Sequence, residues 1–215
     1  MTSILKKPKS FNHRQRLETC LAGEKPDVTP VALWRHFPVD DQYPEQLARS
    51  ITDFQNLYDF DLVKITPASS FCIKDWGVED EWKGNPEGTR EYKRPIINKP
   101  DDWLKLPILN PKVGNLSRQL HSIKLLRKQF DQNTPLIQTI FSPMSQAKNL
   151  AGKTRLLAHI REYPDMVLEG LKTINQSILN FIAECKQLKI DGIFYAVQFA
   201  QYNLVSVQEF EVFEK

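Results

Sequence analysis

Four short apolar runs, separated by stretches of helical periodicity, limit what this chain can fold into. They are Asp27-Val-Thr-Pro-Val-Ala-Leu-Trp34, Asp61-Leu-Val-Lys-Ile-Thr66, Leu136-Ile-Gln-Thr-Ile-Phe141 and Asp191-Gly-Ile-Phe-Tyr-Ala-Val197. Their length and apolar, β-branched character predict strands. A helix with Ser10 as its N-cap precedes the first run. Leu47, Ile51, Phe54 and Leu57 after Pro44, and Leu116, Leu120, Ile123, Leu126 and Phe130 later, recur every three or four positions, the stripe of an amphipathic helix. Val167, Leu171, Ile174, Ile178, Phe181, Cys185 and Leu188 do the same over a longer span. A coiled-coil seam has similar spacing, but the strand that follows within a few residues favours a barrel helix. Ser206 with Glu209 predicts a capping box opening a final helix. Strands alternating with helices indicate a parallel sheet covered by helices, doubly wound or closed into a barrel. No repeat, low-complexity stretch or linker divides residues 1–215, which read as a single domain.

Residues 68–113 break the alternation. They are rich in Pro, Gly, Asn and aromatics and too long for an ordinary connection, which predicts a functional loop insertion. Trp76, Trp82 and Trp103 would either wall an apolar cleft or give the insertion a small core of its own, and the second is expected. Asp75 and Asp80 read as solvated loop carboxylates.

The 29 basic and 26 acidic residues leave a net charge of +3, which points to neither nucleic acid nor membrane as a partner. Cys20, Cys72 and Cys185 are odd in number and widely spaced, as suits reduced thiols in a cytoplasmic protein. Met1 to Ser10 lack the apolar run of a signal peptide or membrane helix. Ala147 to Thr154 end in Gly-Lys-Thr, but Ala147 stands where a phosphate-binding loop needs its first glycine, so an ordinary helix start is expected. Neither a GxGxxG nor a GxSxG motif is present. The four histidines show no ligand spacing, no metal site is expected within this chain, and His121 and His159 read as helix-surface residues. Arg35 and His36 end the first run, and Thr66, Ser142 and Gln198 end or follow the other three, the edge where α/β sheets and barrels gather their sites. An arginine there offers a bidentate cation for carboxylates, and a histidine offers a proton donor or acceptor near neutral pH.

The runs Thr29-Pro-Val-Ala-Leu-Trp-Arg-His36, Phe60-Asp-Leu-Val-Lys-Ile-Thr66, Pro135-Leu-Ile-Gln-Thr-Ile-Phe141 and Asp191-Gly-Ile-Phe-Tyr-Ala-Val-Gln198 resemble the uroporphyrinogen decarboxylase superfamily in order and spacing, over essentially the whole chain. The resemblance implies an α/β fold of (β/α)8 TIM-barrel type, truncated here to about the first four β/α units plus an N-terminal helix and the long insertion. It places Arg35 on the first arginine of the family's MRQAGR motif, which meets substrate carboxylates. His36-Phe-Pro stands for the Gln-Ala-Gly that follows, and Val39 for the second arginine. Thr66 stands where the decarboxylases have aspartate, Lys148 where they have tyrosine, and Gln198 or its neighbour where they have serine. The resemblance thus implies a cofactor-free lyase acting on a carboxylate-bearing substrate, a tetrapyrrole of porphyrin biosynthesis among the candidates. Arg35, His36 and Lys148 would be catalytic, and Trp34, Thr66, Ser142 and Gln198 would bind substrate. The alternative within the superfamily is zinc-dependent methyl transfer to a corrinoid or thiol, with zinc ligands in the missing C-terminal half. A homodimer is expected at full length, and the 215-residue chain alone is expected to be inactive.

Overall fold

The structure, a computed structural model, describes residues 10–214. The reading of Met1 to Ser10 as free of a leader falls almost wholly outside them.

Helix α1 (His13–Leu21) is capped by Asn12, whose side chain accepts from the Gln15 amide while Gln15 reaches back to the Asn12 amide. The expected cap, Ser10, instead donates its backbone N–H to Asp27 Oδ2 at 2.8 Å. Helix α2 (Pro44–Tyr58) opens on a proline at its first turn, buries Leu47, Ala48, Ile51 and Gln55, and ends at Asp59 in the left-handed region. Strand β1 (Val63–Ile65) follows. Within the insertion, β2 (Asp80–Glu81) and β3 (Glu91–Tyr92) form a small antiparallel sheet that periodicity did not reveal. Helix α3 (Gly114–Gln129), β4 (Leu136–Phe141), α4 (Pro143–Ala151), α5 (Lys153–Glu162), α6 (Pro164–Gln187), β5 (Gly192–Ala196) and α7 (Val207–Phe213) complete the order.

The main sheet is parallel, in the order β1-β4-β5, with Lys64 opposite Ile137 and Phe141 opposite Ala196. The expected strand over Asp27–Trp34 is absent. Pro26 and Pro30 lack amide donors, and a run that cannot donate at Pro30 cannot sustain a ladder. A single backbone bond ties this segment to the β1 side, from Asp61 N–H to Val31 C=O at 2.8 Å. The α/β arrangement of parallel strands and covering helices stands, with three strands in the main sheet among the described residues rather than four.

Side chains alternate across the sheet. Ile65, Leu136 and Ile140 point into the helical layer and are almost fully buried. The α6 stripe is buried within this same chain, not along a coiled-coil seam. Part of its partner is Trp103, fully buried where an added Cβ on Gly170 would come within 2.7 Å of the indole. The Trp103 indole N–H donates to His159 Nδ1 at 3.0 Å, so Trp103 joins the main core and His159 is buried rather than on the surface. His121 is exposed and pairs with Glu45. Trp76 is buried and donates to Pro107 O, while Trp82 is half-buried and donates to Asn85 O.

The insertion's carboxylates are not solvated either. Asp75 accepts from the Asn115 and Leu116 amides at 2.8 and 3.0 Å, capping α3 from a distance. Asp80 is buried and accepts from Ser70 Oγ at 2.5 Å, Arg90 Nε at 2.5 Å and Lys74 Nζ at 3.1 Å. Gly152 ends α4 and opens α5, so the Gly-Lys-Thr stretch wraps no phosphate cradle and Lys153 and Thr154 begin a helix. Cys20, Cys72 and Cys185 are free thiols, and burial pushes the last two upward, keeping them protonated. Among the described residues no helix is long and apolar enough to cross a membrane.

Candidate active site

A cavity of about 490 Å³ opens at the C-terminal ends of β1, β4 and β5. The face of the sheet opposite the helices supplies its floor. Lys64 and Thr66, Thr139 and Phe141, and Phe194, Ala196 and Gln198 all line it, each set at the period of two that puts alternate residues on one face. The insertion supplies a wall, from Glu87 through Tyr92, and α4 adds Lys148 and Asn149.

Lys64 is the most constrained of these. It is only 7% exposed, and its Nζ lies 4.5 Å from the Trp34 ring centroid and 4.2 Å from that of Phe194. Among the described residues no carboxylate or other acceptor meets it. Burial lowers its pKa to about 8. Lys148, half-buried, is likewise lowered by burial and likewise has no hydrogen-bonding or ionic partner among the described residues.

His36 is held by a close backbone approach. Gly88, at φ +73°, lies where an added Cβ would be 2.6 Å from the His36 Cβ. Burial, and then the nearby Lys64 charge, push the imidazole pKa down, only partly opposed by Glu87, so the ring is neutral near pH 7. Its Nδ1 is buried without a hydrogen-bond partner. Arg90 lines the cavity but is neutralised from behind by Asp80. Tyr92 is pushed well up by burial and keeps its proton.

The residues expected from sequence divide. His36, Lys148, Thr66 and Gln198 line the one cavity, and Trp34 borders it through Lys64 and Phe194. Arg35 does not line it. It lies exposed with its guanidinium 5.4 Å from the Phe37 ring centroid, beside the groove against α2, and none of the described acids pairs with it. Ser142 is fully buried as the N-cap of α4, its Oγ 2.8 Å from Ser145 Oγ and its N–H donating to Ala196 O. Lys64, Gly88, Tyr92 and Phe194 were missed. For Lys64 and Phe194 the signal was present, since each lies two residues before a strand-end position on the same face.

The lysine on the cavity floor makes folding pH-dependent. The titratable and charged groups that share its cavity are His36, Glu87, Arg90, Tyr92 and Lys148. Between pH 8 and 10.5 the unfolded chain holds a proton on Lys64 that the folded chain releases, so stability rises with pH across that window. Lys64→Met should remove this rise and stabilise the protein near pH 7 by about 2–3 kcal/mol. Denaturant titrations at pH 7 and pH 10 check both signs.

The family model described as uroporphyrinogen decarboxylase (URO-D) matches residues 12–215. The chain belongs to that family. Among solved structures, a methyltransferase from Methanosarcina mazei matches this chain with a TM-score of 0.81 at 17% sequence identity. The match covers 95% of this chain and 64% of the methyltransferase, so the chain spans less than two thirds of that structure's length. The shared fold accounts for the parallel sheet and for a cavity at its C-terminal edge. No curated protein matches at the sequence level.

Proposed function

We propose that this chain carries the site of a lyase that removes carbon dioxide from a carboxylate-bearing substrate, with tetrapyrroles among the candidates. The observation that supports the reading most is one cavity bearing two unpaired, desolvated lysines and a neutral histidine above an aromatic floor. An unpaired cation in a partly buried cavity favours an anionic ligand, because the ligand supplies the missing counter-charge. Lys148 takes the carboxylate-binding role in place of Arg35, which lies outside the cavity. His36 takes or returns a proton at the carbon that loses the carboxylate. Thr66 and Gln198 supply hydrogen bonds, and the insertion wall excludes water while carbon dioxide leaves. The partner in this reading is a small molecule rather than nucleic acid or membrane, and the full-length enzyme is a homodimer.

The same fold in a methyltransferase supports a second reading, methyl transfer to a thiol or corrinoid. Zinc would polarise the thiol, but among the described residues no three His, Cys, Asp or Glu side chains gather to hold an ion, and no step here is routed through one.

Carbon dioxide release from a panel of carboxylates, uroporphyrinogen included, should be measured on the full-length protein together with bound zinc. Release without metal supports the lyase, whereas stoichiometric zinc without release supports methyl transfer. In the lyase, Lys148→Met should raise KM about 10- to 100-fold with a smaller change in kcat, the loss of one charge-assisted contact made in both ground and transition states. Steady-state kinetics check the split.

A further inference from the structure

We propose that Lys64 is a covalent catalyst that forms an imine with the carbonyl carbon of a 3-oxo carboxylate. This rests on the lyase reading and names its substrate class. Breaking a bond to a carboxylate leaves an electron pair on carbon, and that pair needs a sink. A protonated imine at the adjacent position is such a sink, and a lysine makes one without a cofactor provided that its amine is neutral, reachable and free of a carboxylate partner. Lys64 meets these conditions in geometry. Its Nζ lies over the adjoining ring faces of Trp34 and Phe194, lines the cavity, and has no acceptor among the described residues. Burial leaves an appreciable fraction of neutral amine near pH 7 to 8. Lys148, Thr66 and the neutral His36 share the same cavity.

The steps balance. The neutral Lys64 amine adds to the ketone carbon, and the carbinolamine takes up a proton from solvent on its hydroxyl and loses water to give the protonated imine. The C–C bond to the carboxylate breaks, carbon dioxide leaves, and its electron pair moves through the enamine to nitrogen. A proton taken up from solvent and relayed by His36 is added to the enamine carbon. Water then hydrolyses the protonated imine, releasing the ketone, the neutral Lys64 amine and the proton taken up when the imine formed. The net change is 3-oxo carboxylate plus a proton giving ketone plus carbon dioxide. The Trp34 and Phe194 rings meet the amine itself, and no carboxylate of the described residues pairs with it.

The test uses the full-length protein with 3-oxo-4-phenylbutanoate, and separately with its product 1-phenylpropan-2-one, each in the presence of cyanoborohydride. Peptide mass mapping should find the reduced ketone adduct on Lys64 from either compound. Turnover of the 3-oxo acid should fall at least 1,000-fold in Lys64→Arg, which keeps a cation over the rings but forms no imine. Turnover retained in Lys64→Arg, an adduct on Lys148 instead, or no adduct on Lys64 would each overturn the proposal. Decarboxylation without trapping would overturn it while leaving the lyase reading intact. Trapping of the ketone on Lys64 without decarboxylation of any acid would uphold the imine site and remove the lyase reading.

Discussion

Replacing Arg16 with leucine should lower the stability of this protein by about 3–5 kcal/mol, enough to take a small domain close to its unfolding threshold. Arg16 is fully buried. Its Nε lies 2.8 Å from Asp27 Oδ1, its Nη1 2.5 Å from Asp61 Oδ1, and its Nη2 donates to Phe11 O at 2.8 Å. Asp27 also accepts from the backbone of Ser10, Phe11 and Val28, and Asp61 from Val31. One guanidinium therefore joins α1, the segment before His36 and the approach to β1. Without it, Asp27 loses its cation, and Asp61 keeps only His13 and the more distant charges. The hydrogen bond from Arg16 holds the Asp27 carboxyl well below its usual range. Burial pushes Asp61 up, but hydrogen bonds from His13, Val31 and Arg16 outweigh it. Both carboxyls thus titrate lower when folded, and their contribution is present above about pH 3.8 and is lost as the pH falls through the lowered values. Chemical unfolding of Arg16→Leu at pH 7 should show the full loss, and the gap from the parent should narrow towards pH 2. A parallel offset at both pH values would mean that Arg16 acts by packing alone.

A second large effect is expected from one added methyl group. Gly88→Ala should cut turnover about 100-fold with the fold retained, because the new Cβ would lie 2.6 Å from the His36 Cβ and 2.8 Å from its Cγ. The left-handed backbone at Gly88 adds strain of about 1–2 kcal/mol, borne by an exposed stretch of the insertion. The imidazole has to move, and in the proposed lyase, where His36 carries the proton, a displacement of about an ångström is costly. The double variant with His36→Ala separates the causes. If Gly88 acts through His36, the double variant is no slower than His36→Ala alone. Additive losses would show that Gly88 shapes the cavity independently of the histidine.

Much of this architecture can be read directly from residue spacing. The helical stripes at Leu47–Leu57 and Val167–Leu188 appear as α2 and α6, and the run Leu136–Phe141 is β4 to the residue. These elements bury one face against the rest of the chain, so their period was imposed by the core, except at Leu57, which ends its stripe exposed. The run Asp27–Trp34 had the composition of a strand but carries prolines where a ladder needs donors, and composition alone does not register that. The site was half legible for a similar reason. Strand ends point to the correct edge of the sheet, but only alternate residues face the cavity. Ser142 follows Phe141 and falls on the other side of that parity, whereas Arg35 lies in a segment that is no strand and to which the parity does not apply. Counting back by two from Thr66 reaches Lys64, which the strand-end rule passes over. Gly88, Arg90 and Tyr92 come from an insertion with no period, and their convergence depends on long-range contacts such as Arg90 with Asp80 and His36 with Gly88.

The way the β2–β3 pair is fastened has a consequence for how the cavity could be retuned. Asp80 and Arg90 lock its two ends together in a buried pair, reinforced by Lys74 and Ser70. The residues between them, from Glu81 to Thr89, are mostly exposed. They form an interchangeable cassette in which side chains other than Gly88 can be varied to resize the mouth of the cavity, while the parallel sheet and the lysine on its floor stay as they are.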